Sequence, residues 1–242
     1  MNLIGISGRI GSGKDTVGKI IQDLTMNSYQ QSPWHIKKFA GKLKQIVSIL
    51  TGIPAEDLEK MDVKDRVLGL EWDIKGFWTT DPITPSVRQQ TVREILQRVG
   101  TEAMRDNIHP NIWVNALFAD YKKVGYSNIG QPDFDWANAQ NEPPPDYPKW
   151  VITDMRFPNE AEAVKERGGL LLRVIRENKD TSGDGYAWTY PHGWVKYPEH
   201  PSENSLDNYT FHETIINDGT IDELKEKVKQ ILIKHGICNK DI

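Results

Sequence analysis

The stretch "GISGRIGSGKDTVGKII", Gly5 to Ile21, constrains the fold more than any other part of the chain. Leu3, Ile4 and Ile6 run into glycines, and Val17, Ile20, Ile21 and Leu24 then recur at helical spacing. The pattern reads as strand, tight turn, helix. Gly8, Gly13 and Lys14 almost complete the form G-x-x-x-x-G-K-[ST]. In such a turn, backbone N–H groups and the helix dipole converge on an anion, and the lysine reaches the terminal phosphates. Gly8, Gly11 and Gly13 permit the turn, with Ser12 between the last two. One position departs from the form: Asp15 stands where a hydroxyl normally meets magnesium. Two readings stay open. The carboxylate is a hard oxygen donor for the metal, with Thr16 as a second, or it is a negative charge favoured in the first helical turn.

The rest of the chain alternates in the same way. "HIKKFA" (His35 to Ala40) is a second strand candidate, followed by a helix through Leu43, Ile46, Val47 and Leu50 that stops near Gly52 and Pro54. "SVRQQTVREILQRVGTEAMR" predicts a helix with Val92, Ile95, Leu96 and Val99 on one face and Arg93 and Gln97 on another. "WVITDM" and "LLLRVI" predict buried strands around a short helix in "PNEAEAVKERGG", and "HETIIN" a last strand before the helix of Ile221, Leu224, Val228 and Ile231. Strands separated by helices imply an α/β fold: a five-stranded, mostly parallel sheet covered by helices on both faces. A single domain over residues 1–242 is expected, with inserts at about 55–148 and 177–208. Three irregular stretches fall in or near these inserts. Asp62–Ser86 and Asn178–Asn208 carry aromatic residues and read as ordered, while Gly125–Lys149, rich in Gly, Asn and Pro, reads as a mobile loop or hairpin.

Composition narrows the function classes. No apolar run approaches the roughly 20 residues that span a bilayer, and the start "MNLIGISG" lacks the features of a secretory signal. The single cysteine, Cys238, forms no internal disulfide, so a reducing cytoplasm is expected. With net charge −4 and scattered Lys and Arg, the chain has no evident source of attraction for a nucleic-acid backbone. Neither a membrane nor a nucleic acid is an expected partner.

A phosphate loop serves kinases, switches and motors alike, so the remaining residues must choose. Asp154 and Arg156 follow the strand "WVITDM", at the sheet end where ligands bind in open parallel sheets. If that strand stays extended through Met155, the two side chains face the same way. Asp154 then holds magnesium or accepts a proton, and Arg156 neutralises charge on the phosphoryl group in transit. An exposed ion pair beside Pro158 is the plainer alternative.

Taken together, "SGRIGSGKDT", "FAGKLKQ", "TVREILQRVGTEAMRDNIHPNIWVNAL", "ITDMRFPNEAEAVKERGG", "HPSE" and "INDGTIDELKEKV" resemble the bacteriophage deoxynucleoside monophosphate kinases of the T-even type. The resemblance runs in order along nearly the whole chain. It implies a P-loop nucleoside monophosphate kinase fold with acceptor-binding and lid inserts. It also implies phosphoryl transfer from ATP to a deoxynucleoside 5'-monophosphate, with Mg2+ as the metal and a cytoplasmic setting, that of the host for a phage protein. It sets Gly8, Gly11, Ser12, Gly13, Lys14, Asp15 and Thr16 on ATP and its metal, with Asp154 and Arg156 at the transfer centre. It further sets Arg93 and Gln97 on the acceptor, Arg176 at the start of the lid, and Asn217 and Gly219 in a loop against the adenine. For these last five, a solvated helix face, a strand-end arginine and an "NDG" turn with a helix cap account for the same residues. His200 and Glu203 match family positions without a derivable role. "GLEWDIKGFWTTDPITP" and the aromatic segment after Arg176 depart from the family pattern, leaving base preference open. Two rivals share the loop: a dephospho-coenzyme A or other small-metabolite kinase, and an ATPase or switch acting on a macromolecule. The oligomeric state, a homodimer included, is not fixed by these residues.

Overall fold

The computed structural model describes residues 1–26, 33–77, 86–123, 146–176, 189–190, 193–194 and 204–238. In chain order, the first elements are β1 (Leu3–Ser7), α1 (Lys14–Met26), β2 (His35–Lys37), α2 (Gly41–Thr51), α3 (Met61–Lys64), β3 (Ile74–Phe77), β4 (Ser86–Arg88), α4 (Val92–Gln97) and α5 (Ile112–Phe118). There follow β5 (Trp150–Met155), α6 (Pro158–Glu166), β6 (Leu170–Ile175), β7 (Thr189–Tyr190), β8 (Gly193–Trp194), β9 (Glu213–Ile216) and α7 (Ile221–Lys234). They group into two compact units, Met1–Lys38 with Tyr121–Ile242, and Phe39–Asp120.

The first unit is built on a five-stranded sheet in the order β2-β5-β1-β6-β9, and every pairing in it is parallel. β1 is buried along its whole length because both faces of the sheet are covered. Ile4 and Ile6 join Val17, Ile20 and Ile21 of α1 and Leu224, Val228 and Leu232 of α7 in one core cluster. Gly5 points to the opposite side, where a Cβ would lie 3.3 Å from both γ-carbons of Val164 in α6. β5 and β6 read as continuous apolar runs for the same reason.

Small residues set how closely α1 approaches the sheet. A Cβ on Gly18 would lie 2.5 Å from Cγ2 of the buried Thr153 in β5. We expect Gly18→Ala to cost about 1–3 kcal/mol by overpacking. Thr153→Ser deletes that methyl and keeps the hydroxyl, so the double variant should regain part of the loss in thermal melts. No recovery would show that the clash lies elsewhere.

At the sheet edge, Glu213 of β9 takes hydrogen bonds from Lys234 (2.6 Å) and His235 (2.8 Å). Those bonds outweigh partial burial and hold its carboxyl below the usual value of 4.5. A depressed carboxylate contributes stability above its unfolded pKa and loses it as pH falls through the folded one. The acid limb of the stability curve below about pH 4.5 should therefore be shallower in Glu213→Gln than in wild type, read by urea melts across pH.

In the second unit, the expected long helix from Ser86 begins later. Ser86–Arg88 is instead β4, antiparallel to β3. Thr91 caps α4: its Oγ1 accepts from the Glu94 N–H (3.2 Å), while Glu94 accepts from the Thr91 N–H (2.8 Å). Beyond Gln97 the turns widen into a π-helical stretch, Arg98–Asp106. Val92 and Ile95 are buried as expected, but Leu96 and Val99 are only half-buried. Inside that stretch Gly100 accepts from Trp113 Nε1 at 2.8 Å, and a Cβ on it would lie 2.8 Å from Leu43 of α2.

The loop or hairpin expected at Gly125–Lys149 lies mostly outside the described residues, as does most of the Asn178–Asn208 insert, apart from the antiparallel pair β7-β8 and residues 204–208. Among the described residues, no helix is long and apolar enough to cross a membrane.

Candidate active site at the phosphate loop

The turn after β1 lies at the carboxyl end of the central strand, between the ends of β5 and β6. The chain leaves β1 toward β2 and later crosses from β5 to β6 on the other side, which makes this end a topological switch point. Close contacts at two positions there leave room only for glycine. A Cβ on Gly8 would fall 2.3 Å from the Val174 carbonyl oxygen of β6 and 2.6 Å from Ser12 Oγ. Gly13 has φ 98°, and a Cβ on it would meet Asn217 Nδ2 at 2.5 Å.

Lys14 opens α1 and folds back over the turn. Its Nζ donates to the carbonyls of Gly8 and Arg9, each at 2.7 Å. Arg9 O also accepts from the Ser12 N–H at 3.2 Å. Ser12 Oγ is buried without a hydrogen-bond partner among the described residues, a polar atom suited to a bound oxyanion at the start of the helix.

Asp15 is tied to the sheet. Its Oδ1 accepts from Thr153 Oγ1 of β5 at 2.7 Å, and Lys38 Nζ lies 3.3 Å from the same oxygen. Partial burial pushes its pKa up, but the Thr153 hydrogen bond and the Lys38 and Lys14 charges outweigh it and hold the carboxyl below its usual value. The carboxylate that breaks the loop form therefore stitches the first turn of α1 to β5. A Ser hydroxyl one bond shorter has less reach for that bond. Thr16 beside it is exposed.

Asp154 and Arg156 stand at the end of β5, both half-buried. The register with β1 shifts between Gly5–Ile152 and Ser7–Met155. Val151 and Thr153 face Gly18 of α1, whereas Met155 Sδ lies 3.1 Å from the Cβ position of Gly5, on the α6 side. This bulge breaks the simple alternation from which a shared direction for Asp154 and Arg156 was expected. The backbone of Arg156 is held instead by Glu160, whose buried carboxylate accepts from the N–H groups of Arg156 (2.7 Å) and Phe157 (3.1 Å) as α6 begins. Arg156 lines a concavity with Ser7, Gly8, Arg9, Arg173 and Asp207.

Arg176 is exposed just past β6. Asn217, just past β9, donates from Nδ2 to Ser12 O at 2.9 Å and through its backbone to Ile175 O at 2.7 Å. It thereby clamps the phosphate loop. Asp218 pairs with Lys227 at 2.7 Å, and Gly219 precedes a capping box between Thr220 and Glu223. Arg93 and Gln97 belong to the second unit, where Arg93 donates twice to Asp65 Oδ1, at 2.9 and 2.7 Å. His200 and Glu203 lie outside the described residues. Sequence reasoning passed over Arg173, Asp207 and Glu160. A charge inside the apolar run "LLLRVI" was the available signal for the first of these.

A five-stranded parallel sheet with a glycine-lysine turn leading from its central strand into a helix is the α/β arrangement of P-loop proteins. No family model matches the chain. Over 93% of its length it is 25% identical to the deoxynucleoside-5'-monophosphate kinase of Escherichia phage T5, covering 94% of that protein. It is 26% identical to a protein of Acanthamoeba polyphaga mimivirus for which deoxynucleotide monophosphate kinase activity is proposed, over 94% of both chains. A shorter match, 24% identical, joins 63% of this chain to 50% of the deoxynucleotide monophosphate kinase of Enterobacteria phage T4.

Proposed function

We propose that this protein transfers the γ-phosphoryl group of ATP to a deoxynucleoside 5'-monophosphate, giving the diphosphate. The observation that carries this reading is the nearly full-length similarity to a deoxynucleoside monophosphate kinase in a chain whose central strand ends in a glycine-lysine turn that opens a helix. The loop fits ATP: Gly11 and Gly13 take positive-φ backbone in the turn before α1, and Ser12 Oγ has no hydrogen-bond partner among the described residues. Oxygen donors at Asp15, Thr16 and Asp154 fit a hard cation that takes few protein ligands. Magnesium, when bound with ATP, neutralises phosphate charge.

The chain's own residues divide the rest of the work. Backbone N–H groups from Gly8 to Lys14 hold the donor phosphates, and Lys14 moves from loop carbonyls to phosphate oxygens. Arg156 stabilises the phosphoryl group in transit. Asn217 keeps the loop closed from below, and Arg176 covers the phosphates beside Gly219 and the adenine. Arg93, oriented by Asp65, holds the acceptor phosphate together with Gln97. A reducing cytoplasm suits the lone Cys238.

The test is purified protein with Mg-ATP and a panel of deoxy- and ribonucleoside monophosphates plus dephospho-coenzyme A. Diphosphate formation from one or more deoxynucleotides is expected. Transfer only to dephospho-coenzyme A, or turnover without an acceptor, would establish one of the rival readings instead. In the same assay Arg93→Ala should chiefly raise the acceptor KM and Arg156→Ala chiefly lower kcat. Equal effects of both on ATP and acceptor would overturn that division.

A further inference from the structure

The concavity beside the phosphate loop contains a carboxylate between two arginines from different elements. Arg9, in the loop, places its guanidinium 2.9 Å from Asp207 Oδ2, and Arg173, in β6, lies 2.6 Å from Asp207 Oδ1. Arg173 is the anchored partner. Its side chain is only 16% exposed, it donates to Leu206 O, and it sits 5.5 Å from the Phe211 ring centre. Arg9 is the exposed partner, at 63%. Burial opposes ionisation of Asp207, but the two arginines outweigh it and hold its pKa down. The same Arg9 whose side chain reaches Asp207 offers its backbone carbonyl to the Lys14 ammonium and to the Ser12 N–H. A residue pinned at its side chain has less freedom to rotate that carbonyl away.

We propose that Asp207 is a positioning residue for the phosphate loop: fixed to β6 by Arg173, it tethers Arg9 and thereby holds the carbonyl on which Lys14 rests. It touches neither the nucleotide nor the reacting atoms. The loop backbone, and the carbonyl from which Lys14 is released, are thus ordered before a phosphate arrives, which lowers the ordering cost of binding. The inference rests on the reading that this loop binds ATP.

Two measurements on wild type, Arg9→Ala, Asp207→Asn, Asp207→Glu and the Arg9→Ala/Asp207→Asn double variant test it. In calorimetric titration with Mg-ATP, each of Arg9→Ala and Asp207→Asn should weaken binding about two- to fivefold, the range open to a partly exposed ion pair. The double variant should be no weaker than the worse single one, and Asp207→Glu should recover part of the loss. Without nucleotide, the Lys14 amine should react faster with an acylating reagent in both single variants, read by mass spectrometry of the loop peptide. If Asp207→Asn lowers the melting temperature while ATP affinity and Lys14 reactivity stay at wild-type values, the pair is only a structural tie and the proposal is overturned. Tighter ATP binding in Asp207→Asn overturns it too, because the carboxylate would then oppose the phosphates. Should wild type itself fail to bind Mg-ATP, the functional reading falls, and Lys14 reactivity still decides the tether.

Discussion

Lys14→Ala is expected to reduce phosphoryl transfer at saturating ATP by about a hundred- to a thousandfold or more, the scale measured when one preorganised charged or polar contact to a transition state is removed. The physical reason lies in where the ammonium waits. Two loop carbonyls, Gly8 O and Arg9 O, hold it at 2.7 Å, at the mouth of the turn where phosphate oxygens would arrive. On the proposed function, alanine removes the charge that would balance the migrating phosphoryl group and leaves those carbonyls unopposed, which would repel phosphate. Because the side chain is half-buried at a turn rather than packed in the core, the melting temperature should change little. Turnover near the wild-type rate in a folded variant at saturating ATP would remove Lys14 from the mechanism.

Gly8→Ala should be as damaging by a different route. The added methyl would sit 2.3 Å from the Val174 carbonyl and 2.6 Å from Ser12 Oγ. The first neighbour is backbone of β6, and the hydrogen-bonded neighbours of that strand cannot move aside without disturbing the sheet. Relief must come from the loop, which would lift away from the sheet end and lose the arrangement of N–H groups around the anion. We expect Mg-ATP binding to fall below detection in calorimetry, with about 1–3 kcal/mol lost in denaturant melts from overpacking. Unchanged affinity and unchanged stability together would mean that the close approach of loop and β6 does not exist in solution.

Much of the fold was legible because its signals are local. The run Leu3, Ile4, Ile6, the glycines and the helical spacing from Val17 marked β1, the turn and α1 within a few residues. β5, β6, α6 and α7 followed from apolar runs and spacing in the same way, since strands buried on both faces need no partner to be recognised as apolar. The segment Ser86–Arg105 was less legible. Its hydrophobic spacing suits a helix throughout, yet the Thr91–Glu94 capping box and the pairing of β4 with β3 delay the start.

The sequence by itself determined the glycine-rich turn, its lysine and the order of strand and helix around it, because the backbone geometry of such a turn depends on glycines a few residues apart. It also marked Asp15 as a departure without saying what the carboxylate meets. Only the tertiary structure decided that. Thr153 is 138 residues away in the chain and reaches Asp15 because β5 lies beside β1 in the parallel sheet. The clamp of Asn217 on Ser12, the tether from Asp207 to Arg9 and the bulge that turns Met155 away from α1 have the same origin. Each joins residues distant in sequence through strand register, and register is set by packing across the whole sheet rather than by neighbours along the chain.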